Sequence, residues 1–224
     1  MKSIRQILAI LHKINWPQTL YLYLRVKKPR SSSIRVMNRS ILSLEKSAKI
    51  IMDEHSFLEI NRQDYHHYRG VKSRLTLSSS STLHICGSVS LHHGTSILLH
   101  NHASLTIGDH TYLNGASIDC SKSIAIGKEC AIAGGVKILD NSWHSISNGQ
   151  APQRPVNIGN HVWIATNAII LPGVSLGDGC VVGAGSIVTH SIPQGALAAG
   201  APAKVIRENV RWSLSLHNND PTLD

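Results

Sequence analysis

Branched aliphatic residues recur at every sixth position through the second half of this 224-residue chain. They are Ile126, Ile132 and Ile138 and, after an interruption, Ile158, Ile164, Ile170, Leu176, Val182 and Val188. A small or β-branched residue usually follows four positions later, as at Cys130 and Cys180. A period of six fits neither an amphipathic helix nor an alternating strand. It is typical of a solenoid in which each hexapeptide forms one face of a coil.

The spacing between equivalent residues gives the size of one coil. Ile158 and Leu176 lie eighteen positions apart, and so do Ile164 and Val182. Three hexapeptides therefore close one turn, and successive turns should stack at about 4.8 Å, the spacing of parallel strands. An ordinary β-sandwich with buried isoleucine runs would not hold this frame. The pattern predicts an all-β fold, a parallel β-helix of hexapeptide repeats.

The repeat divides the chain into three regions. Residues 75–193 should form the β-helix, residues 1–74 an N-terminal segment, and residues 194–224 a C-terminal tail. We expect the tail to contain a short helix over Val205–Ser213. The repeat stops over residues 139–157, a polar stretch that should leave the coil as one long loop.

Apolar spacing predicts that the N-terminal segment is helical over residues 1–28, with Pro17 opening a second helical turn. Residues 29–74 are expected to be irregular and basic. Two short strands are expected within them, near Ile50–Met52 and Phe57–Ile60.

The basic charge is concentrated in the N-terminal segment. The chain has 22 Lys and Arg against 13 Asp and Glu, a net charge of +9, and residues 1–74 contain 15 of those bases and 5 of those acids. Residues 1–44 contain no acid, and Trp16, Tyr21 and Tyr23 lie among their bases. This pattern is typical of a solvated basic helix or of a segment that contacts an anionic membrane. No nucleic-acid-binding motif accompanies the charge, so we do not expect a nucleic-acid partner.

Cysteine usage and hydropathy indicate the compartment. Cys86, Cys120, Cys130 and Cys180 form no CxxC pair, and the last two fall on the small-residue position of the repeat. They are expected to be packed thiols in a reducing compartment. The apolar runs are shorter than the roughly 20 residues that cross a bilayer. We therefore expect a cytoplasmic protein, with peripheral contact at the inner membrane if the N-terminal segment binds lipid.

The interruption in the repeat carries the candidate catalytic residues, Asp140 and His144. An imidazole accepts a proton near neutral pH, and a nearby carboxylate can fix its tautomer. We therefore expect His144 to act as a general base and Asp140 as its partner. Six other histidines are expected to face solvent: His92, His93, His100, His102, His110 and His161. The spacing of the first four does not by itself make a zinc site, and no metal is predicted.

Residues 163–207 resemble the hexapeptide-repeat acyltransferases, in particular the branch of galactoside, maltose and bacterial polysaccharide O-acetyltransferases. The matching motifs are Trp163–Thr166, Leu171–Asp178, Val182–Thr189, Ile192–Pro193 and Gly200–Arg207. The resemblance is continuous there, looser over Ile107–His144, and does not extend to residues 1–74.

This resemblance implies a left-handed parallel β-helix, a homotrimer, and acetyl-CoA bound between neighbouring subunits as the acyl donor. His144 matches the family's catalytic base, Asn114 matches an acceptor-binding asparagine, and Asp119 is a weaker companion of Asn114. The positions that match the CoA groove are Ala133, Trp163, Thr166, Ala184, Thr189, Lys204 and Arg207. The segment from His144 to Trp163 is shorter than in the galactoside enzymes, which argues against a small free sugar as acceptor.

The expected function is acetyl transfer from acetyl-CoA to a sugar hydroxyl of a bacterial surface polysaccharide or its precursor. Two alternatives remain open from the residues. One is N-acetylation of an amino-sugar nucleotide or an amino acid, which an assay with amine acceptors would detect. The other is a metal hydratase or an inert scaffold built on the same coil, which metal analysis of the purified protein would detect.

Overall fold

The computed structural model describes residues 13–62, 71–145 and 151–213. This part of the chain contains one helix, α1 (Trp16–Arg25), followed by 22 short strands. The strands are β1 Ser33–Val36, β2 Ser40–Leu44, β3 Lys49–Met52, β4 Phe57–Arg62, β5 Ser73–Leu77, β6 Thr82–Cys86, β7 Ser88–His92, β8 Ser96–Leu99, β9 Ser104–Gly108, β10 Thr111–Leu113, β11 Ser117–Cys120, β12 Ser123–Ile126, β13 Ala131–Ile132, β14 Lys137–Leu139, β15 Val156–Ile158, β16 Trp163–Ile164, β17 Ile169–Ile170, β18 Ser175–Leu176, β19 Val181–Val182, β20 Ile187–Val188, β21 Leu197–Gly200 and β22 Ala203–Arg207.

Up to β20 every third strand joins the same sheet, so the chain winds as a three-sided coil, and β21 and β22 then extend the first sheet. The first sheet has the order β1-β4-β7-β10-β13-β16-β19-β21-β22, the second β2-β5-β8-β11-β14-β17-β20, and the third β3-β6-β9-β12-β15-β18. We call the connections corner 1 (first sheet to second), corner 2 (second to third) and corner 3 (third to first). In the coil of β10, β11 and β12 these are residues 114–116, 121–122 and 127–130. The predicted parallel β-helix is therefore present.

The interior consists of ladders of aliphatic side chains from successive coils. Ile132 pairs with Ile164, which pairs with Val182, and all three are fully buried. Burial of each such side chain stabilises the fold by about 1.5–3 kcal/mol. Cys130 and Cys180 lie in the same interior, where burial raises the pKa of their thiols to about 11 and about 12. The prediction that they are packed thiols is confirmed.

The β-helix begins at Ser33, so the expected boundary at residue 75 is wrong. β1 and β4 already pair in parallel, with Ile34 opposite Leu58, and the two strands expected before residue 62 are both part of the coil. The pairs in these first coils are wider apart in sequence than eighteen residues, since Ile50 lies opposite Leu83. Longer strands and corners therefore hide the repeat in this region.

Helix α1 covers the open end of the first coil. Asn15 Oδ1 accepts a hydrogen bond of 3.2 Å from Gln18 N at the start of the helix, where Pro17 is tolerated. Trp16–Arg25 is helical as expected, whereas Val26 is extended and Lys27 bridges to Ile51, so the expected end at residue 28 is wrong. Leu22 of the helix is fully buried in the core. Residues 1–12, also expected to be helical, lie outside the described residues. No helix in the described ranges is long and apolar enough to cross a membrane.

The C-terminal helix expected over Val205–Ser213 is not formed. Ala203–Arg207 is the strand β22, antiparallel to β21, and residues 208–213 are not helical. The edge of β21 offers unpaired backbone groups, and the β-branched Val205 and Ile206 favour a strand that satisfies them.

Candidate active site

One long loop leaves the coil at corner 2, between β14 and β15, as the sequence predicted. The two arms of the loop are joined near the coil, where Asn141 and Gln153 form an antiparallel bridge. Ser142 N donates to Pro152 O at 2.9 Å, and Arg154 N donates to Asp140 O at 2.8 Å. These bonds make the loop leave the coil as a paired stem.

His144 lies just beyond this stem and is exposed. Its backbone N donates to Ser142 O at 2.7 Å, and its carbonyl accepts from Ser142 Oγ at 3.2 Å. The local turn is therefore held by a backbone bond and by the Ser142 hydroxyl, and the imidazole is accessible to a substrate.

Asp140 does not act as the partner of His144 in this structure, contrary to expectation. It is fully buried, and its Oδ1 accepts from Ser121 N at 2.7 Å and from Ser121 Oγ at 3.1 Å. Its Oδ2 accepts from Lys122 N at 2.7 Å. Among the described residues no hydrogen bond joins Asp140 to His144. Asp140 instead caps the backbone amides of corner 2 in the preceding coil.

A cluster of side chains ties the loop to the coil below it. Asp119 Oδ1 accepts from Asn141 Nδ2 at 3.2 Å and lies 2.9 Å from His100 Nε2. The rings of His100 and Trp143 meet edge-on with centroids 4.6 Å apart. Asp119 therefore supports the residues next to His144 instead of accompanying Asn114. The sequence did not indicate His100 or Trp143 as part of this site. Leu99 pairs with Cys120 in the next coil, and this pairing brings residue 100 close to the loop.

The expected surface positions of the histidines need correction. His92 and His93 are buried near corner 1, while His100 is partly buried at corner 2. The four histidines between residues 92 and 102 therefore divide between two corners and do not form one cluster. His161 stacks on Trp212, with ring centroids 4.2 Å apart.

Asn114 lies at corner 1, in the column that also carries several residues of the expected CoA groove. Asn114 N donates to Ile132 O at 2.8 Å, and Ala133 N donates to Ile164 O at 2.9 Å. A cavity of about 450 Å³ opens along this corner. Its lining includes Val71, His93, Asn114, Ala133, Thr166 and Asn167.

Strand register places Lys204 and Arg207 on one face, although they are three positions apart in sequence. Lys204 lies opposite Ala199, and Arg207 lies opposite Leu197. Ala199 and Leu197 are two residues apart on β21 and therefore share a face. Lys204 and Arg207 lie opposite them on that face, because an irregularity in the pairing shifts the alternation of β22.

The pairing of the strands also gives the positions of the remaining groove candidates. Trp163 pairs with Val181, which pairs with Leu197, so Trp163 and Arg207 lie in one outward column of the first sheet. Ala184 lies at corner 1. Thr189 lies apart, at corner 2, where its Oγ1 is 2.8 Å from His190 Nδ1.

The structure thus gathers six of the seven groove candidates with Asn114 along corner 1 and the adjoining sheet. His144 lies at corner 2, separated from Asn114 by a strand of the second sheet. A strand of four residues such as β11 spans about 13 Å. One chain therefore does not bring His144 and Asn114 together.

The comparisons with known proteins agree with this architecture. Residues 155–190 match the family described as bacterial transferase hexapeptide (six repeats). The chain is 44% identical to galactoside O-acetyltransferase of Escherichia coli (strain K12) over 91 residues, 38% of this chain and 44% of that enzyme. The chain spans about half the length of the curated relatives that it matches.

The solved structure of the polySia-specific acetyltransferase NeuO is similar over most of the chain. It superposes with a TM-score of 0.53 and 26% identity, covering 88% of this chain and 95% of NeuO. The coil is therefore the left-handed parallel β-helix of the hexapeptide-repeat proteins. Residues 155–190 and the relatives named above make the chain similar to the bacterial hexapeptide-repeat transferases over this part of the coil.

Proposed function

We propose that the protein is an acetyl-CoA-dependent O-acetyltransferase that modifies a sugar hydroxyl of a bacterial surface polysaccharide or its precursor. The observation that carries the proposal is the exposed His144, on the loop that breaks a regular coil. The similarity to a galactoside O-acetyltransferase and to NeuO supports acetyl transfer to a glycan.

In the proposed reaction His144 acts as the general base. Its ring nitrogen takes the proton of the sugar hydroxyl as the oxygen attacks the thioester carbonyl of acetyl-CoA. The tetrahedral intermediate then collapses, the carbon–sulfur bond breaks, and the imidazolium returns the proton to the CoA thiolate. The products are the acetyl ester of the sugar and free CoA. Asp119, Asn141, His100 and Trp143 hold the loop from which His144 acts.

The site is proposed to lie between subunits of a homotrimer. Corner 2 of one subunit supplies His144, and corner 1 of its neighbour supplies Asn114 for the acceptor and the groove for acetyl-CoA. The separation of the two corners within one chain supports this arrangement. A cyclic trimer would repeat the same interface three times.

Lys204 and Arg207 are proposed to bind the phosphates of CoA. Both are exposed on the outer face that also carries Trp163. We expect Lys204→Ala combined with Arg207→Ala to raise the KM for acetyl-CoA more than it lowers kcat, because these contacts hold the ground state and the transition state alike. Steady-state kinetics with varied acetyl-CoA measures both constants. Lys122→Ala, which removes a basic side chain at corner 2, is the control. An unchanged KM in the double variant would contradict the groove assignment.

The nature of the product separates this function from the N-acetyl alternative. Acceptors that differ only in a hydroxyl or an amine at one position should be compared with the same acetyl-CoA. We expect an ester that mild alkali removes, formed from the hydroxyl acceptor. An alkali-stable amide formed in preference would replace the proposal with N-acetylation.

We also propose that α1 holds the protein at an anionic membrane. Leu22 packs inward, whereas the opposite side of α1 exposes Trp16, Leu20 and Leu24. These three side chains are spaced four residues apart and form one exposed apolar stripe, the kind of patch that marks an interaction surface. Trp and Tyr suit the headgroup region, and each base near an anionic leaflet contributes about 1 kcal/mol.

The membrane proposal predicts salt-sensitive binding to anionic vesicles. Leu20→Ser combined with Leu24→Ser should shift the protein from sedimenting vesicles to the supernatant, because it removes apolar area from the exposed side only. Ile206→Ser, an equally exposed apolar position on β22, is the control and should bind as the unchanged protein does. Higher salt should release the unchanged protein as screening increases. If the unchanged protein fails to bind anionic vesicles at low salt, α1 serves only to cap the coil. These point variants are preferable to removing residues 1–44, because that deletion would also remove β1 and β2.

A further inference from the structure

Three potential metal ligands converge on the outer face of the third sheet, near corner 3. They are Asp53, directly after β3, and His84 and Cys86 on β6. His84 Nε2 lies 2.7 Å from Asp53 Oδ1 and 3.6 Å from Cys86 Sγ. One ligand atom from each of the three residues lies within 4.8 Å of the other two.

The coil itself fixes these side chains in place. His84 and Cys86 alternate with the buried Leu83 and Ile85, so both point outward from the same rigid strand. Asp53 follows Met52, which pairs with Ile85, and Asp53 N donates to Ile85 O at 3.1 Å. The ligand atoms are therefore presented by two adjacent strands.

The three residues are partly exposed, so a further ligand can reach them from solvent. Cys86 lies opposite Gly108 on β9, which has no side chain to cover the thiol. His84 and Asp53 are both partly exposed, with side-chain exposures of 35% and 51%. A water molecule can therefore complete a four-coordinate site from the solvent side.

We propose that Asp53, His84 and Cys86 form a binding site for a zinc ion, with water as the fourth ligand. Thiolate, imidazole and carboxylate are the ligand types that Zn²⁺ prefers, whereas Mg²⁺ and Ca²⁺ select oxygen ligands alone. The charge of the ion is balanced by one carboxylate and one thiolate.

The two distances from His84 need little adjustment for this ion. Zinc–ligand bonds of about 2.0–2.3 Å in tetrahedral geometry separate neighbouring ligand atoms by about 3.4–3.6 Å. The distance from His84 to Cys86 already has this value, and the contact from His84 to Asp53 would lengthen by about 0.7 Å. On binding, the ion replaces the proton on Cys86 Sγ, and this thiol proton passes to solvent. His84 binds the ion through Nε2, so the ring proton that faced Asp53 moves by exchange with solvent to Nδ1.

The local chemistry suits a thiol that stays protonated until an ion binds. Burial and the neighbouring Asp53 raise the pKa of Cys86 to about 11. The hydrogen bond from His84 lowers the pKa of Asp53, which keeps the carboxylate ionised. The site lies at corner 3, whereas His144 and Asn114 lie at corners 2 and 1, so zinc binding is independent of the proposed transfer.

Titration of the purified, reduced, metal-free protein with Co²⁺ tests the site. A cobalt–thiolate bond gives a near-ultraviolet charge-transfer band, and tetrahedral cobalt gives visible bands. Among the four cysteines, Cys86 alone is not buried, so this band reports on it. We expect one Co²⁺ per chain, displaced stoichiometrically by Zn²⁺. Cys86→Ser should abolish the charge-transfer band, and His84→Gln should weaken Co²⁺ binding at least about tenfold.

The matched control is His110→Gln, because His110 and Asp109 also approach each other, at 3.5 Å, but have no thiol beside them. This variant should bind Co²⁺ as the unchanged protein does. Circular dichroism of each metal-free variant checks that the fold is retained. No charge-transfer band in the unchanged protein, a band that persists in Cys86→Ser, or equal weakening by His110→Gln and His84→Gln would each overturn the proposal.

Discussion

Replacing His144 with asparagine should lower the rate of acetyl transfer by about 10²–10⁴-fold, the usual contribution of a general base. Asparagine cannot accept the hydroxyl proton, while the exposed position requires no repacking of the core. The thermal midpoint and the oligomeric state should therefore be unchanged. The comparison is made with initial rates at saturating acetyl-CoA.

The control for this substitution is His110→Asn. His110 is also exposed, and it has a φ of 54°, which asparagine tolerates. This variant should keep the full rate. A His144→Asn protein that retains more than half of the activity would remove His144 from the mechanism.

Mixed trimers should recover activity from two inactive variants, because the proposed site takes His144 and Asn114 from different subunits. We expect His144→Asn and Asn114→Ala to be nearly inactive alone. In trimers assembled randomly from equal amounts of both, about one quarter of the interfaces would pair an intact His144 with an intact Asn114. About one quarter of the unchanged activity should therefore return.

The mixing experiment distinguishes a shared site from a site within one chain. If His144 and Asn114 served the same site from one subunit, every chain in the mixture would carry a lesion and no activity would return. Each variant taken through the same dissociation and reassembly alone is the control. Sedimentation of the mixture shows whether trimers have formed.

The sequence predicted the later coils well because each of their residues has a defined place in an eighteen-residue turn. Ile158, Leu176 and their neighbours occupy the interior positions that the period assigned to them. The first coils were missed because their strands are longer, so that Ile34 pairs with Leu58 and the spacing no longer repeats. The C-terminal segment was misjudged because the free edge of β21, which only the folded coil creates, decides its conformation.

The candidate site was predicted in part, and the differences come from side-chain direction. The loop and His144 follow from the break in the repeat. Asp140 is close to His144 in sequence, but its side chain faces the corner amides of Ser121 and Lys122. The support of the loop by Asp119 and His100 depends on contacts between coils, which spacing along one coil does not reveal.

The most direct test of the proposed activity is the release of free CoA from acetyl-CoA in the presence of purified bacterial polysaccharides. A thiol-reactive dye follows the release, and mass spectrometry identifies the product. The proposal predicts release that depends on the glycan, an alkali-labile acetyl ester on the sugar, and loss of both with His144→Asn. Glycan-dependent release that is unchanged in His144→Asn, or a product acetylated only on nitrogen, would contradict it.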